Sequence, residues 1–173
     1  MKNQCERMYA ELLAAIRSGK EHSHSHLKWI EDCFQLCFRA YIHLQKMTAN
    51  YQFADQEEEI WFNKAIGPQF AAQTKYFTLI YAAEMFAPDD LEKRIDYWRY
   101  ELKKNLDFFD KHEAFYRYYK KGLTNQDSRF FASSSSYIDL LASFIAREKY
   151  LEFLQTKIGA LSTVQPPNYR RAD

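Results

Sequence analysis

The chain has 173 residues, of which 47% are hydrophobic and 17% aromatic, and its formal net charge is +1. This length suits one domain with a substantial core, and the hydrophobic content excludes an intrinsically disordered chain. The balance of 24 basic and 23 acidic residues argues against a protein that binds nucleic acid or membrane with its whole surface, but it leaves room for a local basic patch. Only four glycines and four prolines are present, which favours long helices with few connections.

Two features bear on the cellular location. Residues 1–17 are charged throughout and lack the apolar stretch of a secretory signal. No run of about 18 apolar residues exists that could span a membrane. We therefore expect a cytoplasmic protein that does not bind membranes.

Hydrophobic periodicity predicts an all-α protein, an antiparallel bundle of about five helices. The first two helices are predicted from about Asn3 to Arg17, closed by Ser18-Gly19, and from His26 to Met47. The third begins at a capping box led by Asp55 and runs to the Ala87-Pro88 segment.

The fourth helix is predicted from Asp90 to Lys121, with Asp89 as a candidate cap, and the fifth from Tyr137 to Ile158, after a loop over 124–136. Trp98 lies in the apolar stripe of the fourth helix and is predicted to be a core anchor. The same apolar stripe includes Leu91 and Leu106, which are therefore also predicted to be buried.

The third and fourth helices, each of about 30 residues, are the two longest predicted elements. We expect the third to bend or break at Gly67-Pro68, because a proline removes one backbone donor and clashes with the carbonyl four residues earlier. Residues 1–160 are predicted to be a single helical domain, with 1–19 as a more loosely packed N-terminal helix. Residues 161–173 are predicted to be an irregular basic tail.

The three cysteines and the histidine tract are the candidates for metal or redox chemistry. Cys33 and Cys37 share a helix face, and we interpret them, with Cys5, as small buried hydrophobic residues, with a metal or redox pair as the alternative for Cys33 and Cys37. The tract of His22, His24 and His26 is interpreted as a linker rather than a metal site, because no second ligand cluster adjoins it.

The search for catalytic groups finds no nucleophile motif, no phosphate-binding glycine loop and no cofactor motif. Glu84, Glu113 and Glu148 fall on apolar helix faces, but no glutamate is followed three residues later by histidine, as a carboxylate-bridged di-metal site requires. The sequence therefore predicts no catalytic residue, no metal site and no cofactor.

A basic stretch covers the second half of the fourth helix and the loop after it, interleaved with tyrosines. Lysine and arginine neutralise phosphates, and tyrosines can stack on bases. The alternative is that these charges form the solvated face of a helix whose aromatic side is core. The candidate nucleic-acid-binding residues are Lys103, Lys104, Arg117, Lys120, Lys121 and Arg129.

Several aromatic-rich runs between about Ile30 and Phe131 resemble the RteC family, regulators carried on conjugative transposons of Bacteroides-type bacteria. These runs are Glu59-Ile60-Trp61-Phe62, Ile66-Gly67-Pro68-Gln69-Phe70, Tyr76, Tyr81 and Glu84 before Pro88, Tyr97, Glu101-Leu102, Phe108-Phe109 and Phe115-Tyr116-Arg117-Tyr118-Tyr119. At Gly67 the resemblance leads us to expect a basic residue instead.

The resemblance implies transcriptional control of excision genes in a tetracycline-responsive cascade, and a helical region followed by a winged-helix-like DNA-reading region. The DNA-reading region is expected to be missing or shortened in this chain, so the resemblance assigns base reading to none of its residues. The predicted role is the helical region of such a regulator, with weak DNA binding and with protein contact or self-association. The alternatives are a stand-alone helical interaction module and, more remotely, a metal-dependent enzyme.

Overall fold

The computed structural model describes residues 1–120 and 134–164, and every regular element in these ranges is helical, which confirms the predicted all-α class. The elements in chain order are α1 (Lys2–His22), α2 (His26–Thr48), α3 (Gln56–Trp61), a π-helical turn (Phe62–Ile66), α4 (Gly67–Phe86), α5 (Leu91–Lys111), α6 (Glu113–Lys120) and α7 (Ser134–Val164). None of the helices described is long and apolar enough to cross a membrane.

Local capping chemistry fixes the starts of three helices. The side-chain oxygens of Ser25, Asp55 and Asp90 each accept a hydrogen bond from the backbone N–H three residues later, at 3.3, 2.8 and 2.9 Å. Each bond satisfies one of the donors that a helix start leaves unpaired. The start at Asp55 agrees with the prediction, whereas α5 is capped by Asp90 and not by the predicted Asp89.

The first helix is longer than predicted, because Gly19 does not end it. α1 continues to His22, and a Cβ atom at Gly19 would lie 3.4 Å from the indole ring of Trp29. At that distance a Cβ atom would be in ordinary van der Waals contact with the indole, so the packing of α1 against α2 does not require a glycine here. Cys5 and Leu12 of α1 are buried in the main core.

The last helix is also longer than predicted. α7 has 31 residues and begins at Ser134, so the backbone of residues 134–136 is helical where a loop was expected. It extends to Val164, which places helix where the irregular tail was expected to begin. Residues 165–173 of that tail lie outside the described part of the chain.

The predicted irregularity near Gly67-Pro68 is a π-helical turn. Phe62–Ile66 is wound more widely, and the Gly67 N–H donates to the Phe62 carbonyl five residues earlier. Pro68 cannot donate to the Lys64 carbonyl, and the wider turn accommodates that missing bond. A Cβ atom at Gly67 would lie 3.0 Å from the Phe62 carbonyl oxygen, so the basic residue expected from the resemblance would press on this turn.

The predicted fourth helix is divided into two. His112 leaves the helical conformation at φ −112° and ψ 27°, and its N–H donates to the carbonyls of both Phe108 and Phe109 at 3.2 Å. α6 then begins at Glu113. The two longest helical stretches are therefore the run Gln56–Phe86, which includes the π-helical turn, and α7.

The helices pack around α4 and α7 in the centre. α2 runs antiparallel to α4, with His26 beside Glu84, and α5 runs antiparallel to α7. α4 and α7 run parallel, since the Lys75–Asp139 and Glu84–Lys157 ion pairs join them in the same order. This parallel pair fits the predicted antiparallel bundle, because α4 and α7 are not consecutive along the chain and α5, which lies between them in sequence, runs antiparallel to α7.

The core contains the predicted anchor Trp98, which is 2% exposed. Its indole ring meets Tyr97 at 5.0 Å and Phe153 at 5.9 Å between ring centroids. The predicted burial of Leu91 and Leu106 in the apolar stripe is wrong, since both side chains are exposed. Asn105, next to Leu106, is fully buried instead.

All three cysteines are free and buried. Burial raises the pKa of Cys33 to about 11 and that of Cys37 to about 12, so their thiols stay protonated near neutral pH. Their role as small hydrophobic residues agrees with the sequence interpretation.

Candidate nucleic-acid interface on α5 and α6

Three of the six candidate basic residues have described side chains. Lys103 and Lys104 lie exposed on α5, and Arg117 lies exposed on α6, beyond the break at His112. Lys120 is the last residue of α6, but its side chain is not among those described, and Lys121 and Arg129 lie outside the described residues. The contribution of these residues to DNA contact stays a prediction.

Lys104 is held by a carboxylate on its own helix. Its Nζ lies 3.1 Å from Glu101 Oε1 and 5.4 Å from the centroid of the Tyr100 ring. Glu101 also accepts a hydrogen bond from the Tyr150 hydroxyl on α7, at 3.0 Å. Burial and the neighbouring Glu101 carboxylate raise the pKa of Tyr150. The charge of Lys104 is therefore partly balanced by a carboxylate that belongs to the α5–α7 contact.

Arg117 is likewise paired within its helix, with Glu113 one turn earlier. Both side chains are more than half exposed, so solvent screens the pair and it adds little to stability. Lys103 has no ion-pair partner among the described residues. The described basic residues are thus three exposed charges, and two of them, Lys104 and Arg117, are each paired with a carboxylate of their own helix.

The aromatic residues that alternate with these charges have a structural role. Side chains of α5, of α6 and of His112 between them surround Phe144 of α7, which is fully buried. The distances from the Phe144 ring centroid are 5.2 Å to Phe108, 5.8 Å to Phe109, 6.1 Å to His112, 5.1 Å to Phe115 and 5.6 Å to Tyr116. We call these six residues the Phe144 cluster.

The Phe144 cluster includes Tyr116, one of the tyrosines that alternate with the basic residues. Tyr116 stacks on Phe144, and its hydroxyl donates to Glu148 at 3.4 Å. Its ring is therefore engaged inside the protein rather than offered to a base. The side chains of Tyr118 and Tyr119 lie outside the described ones.

A polar contact between α5 and α7 was not predicted from the sequence. The Asn105 amide donates to the Arg147 carbonyl at 3.0 Å, and the Arg147 guanidinium donates to the Asn105 side-chain oxygen at 3.2 Å. The guanidinium also covers the Phe108 ring, 4.4 Å from its centroid. Desolvation lowers the pKa of Arg147, although a guanidinium keeps its charge throughout the physiological range.

The remaining candidates for metal or acid chemistry lie apart. Within residues 1–120 and 134–164, no three His, Cys, Asp or Glu side chains come together as a metal site would require. His26 stacks on Trp29 and lies 3.5 Å from Glu84, which also pairs with Lys157. Glu113 and Glu148 contact Arg117 and Tyr116 respectively.

The described residues thus define an all-α protein in which aromatic side chains join α5, α6 and α7. The family model described as RteC protein matches residues 61–146, which span α4, α5, α6 and the first half of α7. Over these residues the chain belongs to the RteC family. The match confirms the predicted resemblance from residue 61 onward and extends it beyond 131, whereas the stretch 30–60 lies outside it. No curated protein and no solved structure matches the chain.

Proposed function

We propose that this chain is a cytoplasmic, non-catalytic helical region of a regulator that controls excision genes of a mobile element in response to tetracycline. The observation that carries the proposal is the family match over 61–146, which includes all six residues of the Phe144 cluster. Regulation of excision is the role that family membership suggests.

Within this role, we assign the helical region mainly to protein contact or self-association. Lys104 and Arg117 are each paired with a carboxylate, and Tyr116 is packed on Phe144. These contacts leave few groups to read bases. DNA contact by this chain is therefore expected to be weak, to involve phosphates alone and to come from the end of α6.

A stand-alone interaction module is the second candidate, favoured by an exposed apolar end of α4. Met85 is 53% exposed and Phe86 is 74% exposed, in the last turn of that helix. Large exposed apolar side chains next to each other are typical of protein contact sites. This candidate requires no DNA contact.

A salt-dependent DNA titration distinguishes the two candidates. We expect the protein to bind unrelated duplexes equally, with a dissociation constant on the order of 10⁻⁴ to 10⁻⁶ M at physiological salt. Replacing Lys120 and Lys121 together by alanine should weaken binding to every duplex. It should also flatten the slope of log affinity against log salt concentration by about two.

The matched control replaces Lys46 and Lys93, two exposed lysines on α2 and α5, by alanine. This double variant removes the same amount of positive charge from surface positions away from the end of α6, and it should retain most of the DNA affinity. Tight, sequence-selective binding would mean that the chain reads bases, contrary to the proposal. Absence of binding even at low salt would favour the interaction module.

A further inference from the structure

A large groove opens between α1, α4 and α7, and no role described above uses it. Its volume is about 860 Å³. Arg17 and Lys20 line it from α1, Tyr76 from α4, and Lys149, Phe153 and Lys157 from α7. Grooves of this size, with apolar walls and a few polar groups, are typical of small-molecule sites.

The charge of the groove is strongly positive. Four basic side chains line it against one carboxylate, that of Glu152. Lys157 is already paired with Glu84. Among the described residues, no carboxylate lies within ion-pair distance of Arg17, Lys20 or Lys149. The groove therefore carries an excess of positive charge in a protein that is nearly neutral as a whole.

Lys149 is the basic residue for which a counter-ion would matter most. Its side chain is half-buried, and this burial lowers its pKa, while Glu152 acts on it only from a distance. An ammonium group withdrawn from water is unfavourable unless an anion pairs with it. An anionic group bound beside Lys149 would supply that pairing.

The walls of the groove offer flat aromatic surfaces. Tyr76 and Phe153 are half-buried and face the groove. The Tyr76 ring contacts that of Phe77, at 5.3 Å between centroids, and Phe77, which also lines the groove, meets Trp29 at 5.7 Å. A wall held in this way can accept a planar ring without rearranging, so little entropy is lost on binding.

We propose that this groove binds a small aromatic anion, a planar ring system carrying a carboxylate, sulfonate or phosphate group. The anionic group pairs with Lys149, and the ring lies against Tyr76 and Phe153. Such a ligand would bridge α1, α4 and α7, so binding would stabilise their packing. This inference stands independently of the regulatory role proposed above, since it rests on the groove alone.

The fluorescent probe anilinonaphthalene sulfonate, an aromatic anion, tests the proposal. We expect saturable, one-to-one binding to the folded protein and a higher melting temperature at saturation. Lys149→Gln should raise the dissociation constant about tenfold or more, because a hydrogen bond to a charged group is lost. Neutral phenylnaphthylamine should bind more weakly and should not respond to this substitution.

Two comparisons make the experiment decisive. Lys46→Gln removes a lysine from an exposed position on α2 outside the groove and should leave probe affinity unchanged. Tyr76→Leu keeps the charge but removes the ring, and it should also weaken binding of the probe. Unsaturable binding, equal affinities in Lys149→Gln and Lys46→Gln, or displacement of the probe by oligonucleotides but not by small aromatic carboxylates would overturn the proposal.

Discussion

Replacing Trp98 by alanine is expected to lower the free energy of unfolding by about 3–5 kcal/mol. The indole is 2% exposed and packs against Tyr97 and Phe153, and the Lys157 ammonium lies 5.7 Å from its centroid. Truncation leaves a cavity between α5 and α7 that rigid neighbouring helices fill only in part. For a chain of this length, the melting temperature should fall by roughly 10 °C or more.

The matched control is Tyr100→Ala, two residues further along α5. Tyr100 is 60% exposed, so its removal should change the free energy of unfolding by less than about 0.5 kcal/mol. Urea unfolding of both variants, followed by circular dichroism, gives the comparison. Equal losses in the two variants would mean that Trp98 does not anchor the core.

Phe144→Ala is the second substitution with a large expected effect, again about 3–5 kcal/mol. Phe144 is fully buried, and it is surrounded by four rings from α5 and α6 and by the ring of His112 between them. Removing the Phe144 ring leaves all five surrounding rings without the contact that they share. Because α6 is short and packs here through Phe115 and Tyr116, α6 should loosen more than the rest of the protein.

Hydrogen exchange measured residue by residue separates this local effect from general destabilisation. The backbone amides of α6 should lose more protection than those of α2 in the Phe144→Ala protein. Phe38→Ala, which removes a phenylalanine that is 46% exposed on α2, serves as the control and should leave α6 unchanged. Uniform loss of protection along the chain would contradict a specific role of the Phe144 cluster in holding α6.

Features governed by neighbouring residues could be predicted from the sequence. The cap at Asp55 depends on a hydrogen bond to an N–H three residues away, and the irregularity near Pro68 depends on a missing donor. The burial of Trp98 follows from its place in a helical stripe. In each case the deciding interaction is local, or is set by the periodicity of a single helix.

Features governed by distant contacts could not be predicted. No proline or glycine marks the break at His112, whose ring packs on Phe108 and Phe144. Asn105 can be buried between α5 and α7 because Arg147, 42 residues away, satisfies its amide. The groove around Lys149 exists only because α1, α4 and α7 converge there.

The transcript level of the excision genes tests the regulatory role most directly. It should be measured in cells that carry this gene beside a mobile element, with and without tetracycline. Deleting the gene should change the tetracycline response of those transcripts, and returning the intact gene should restore it. Returning the Phe144→Ala gene should restore it less well. Transcript levels that are the same with and without the gene would contradict the proposed function.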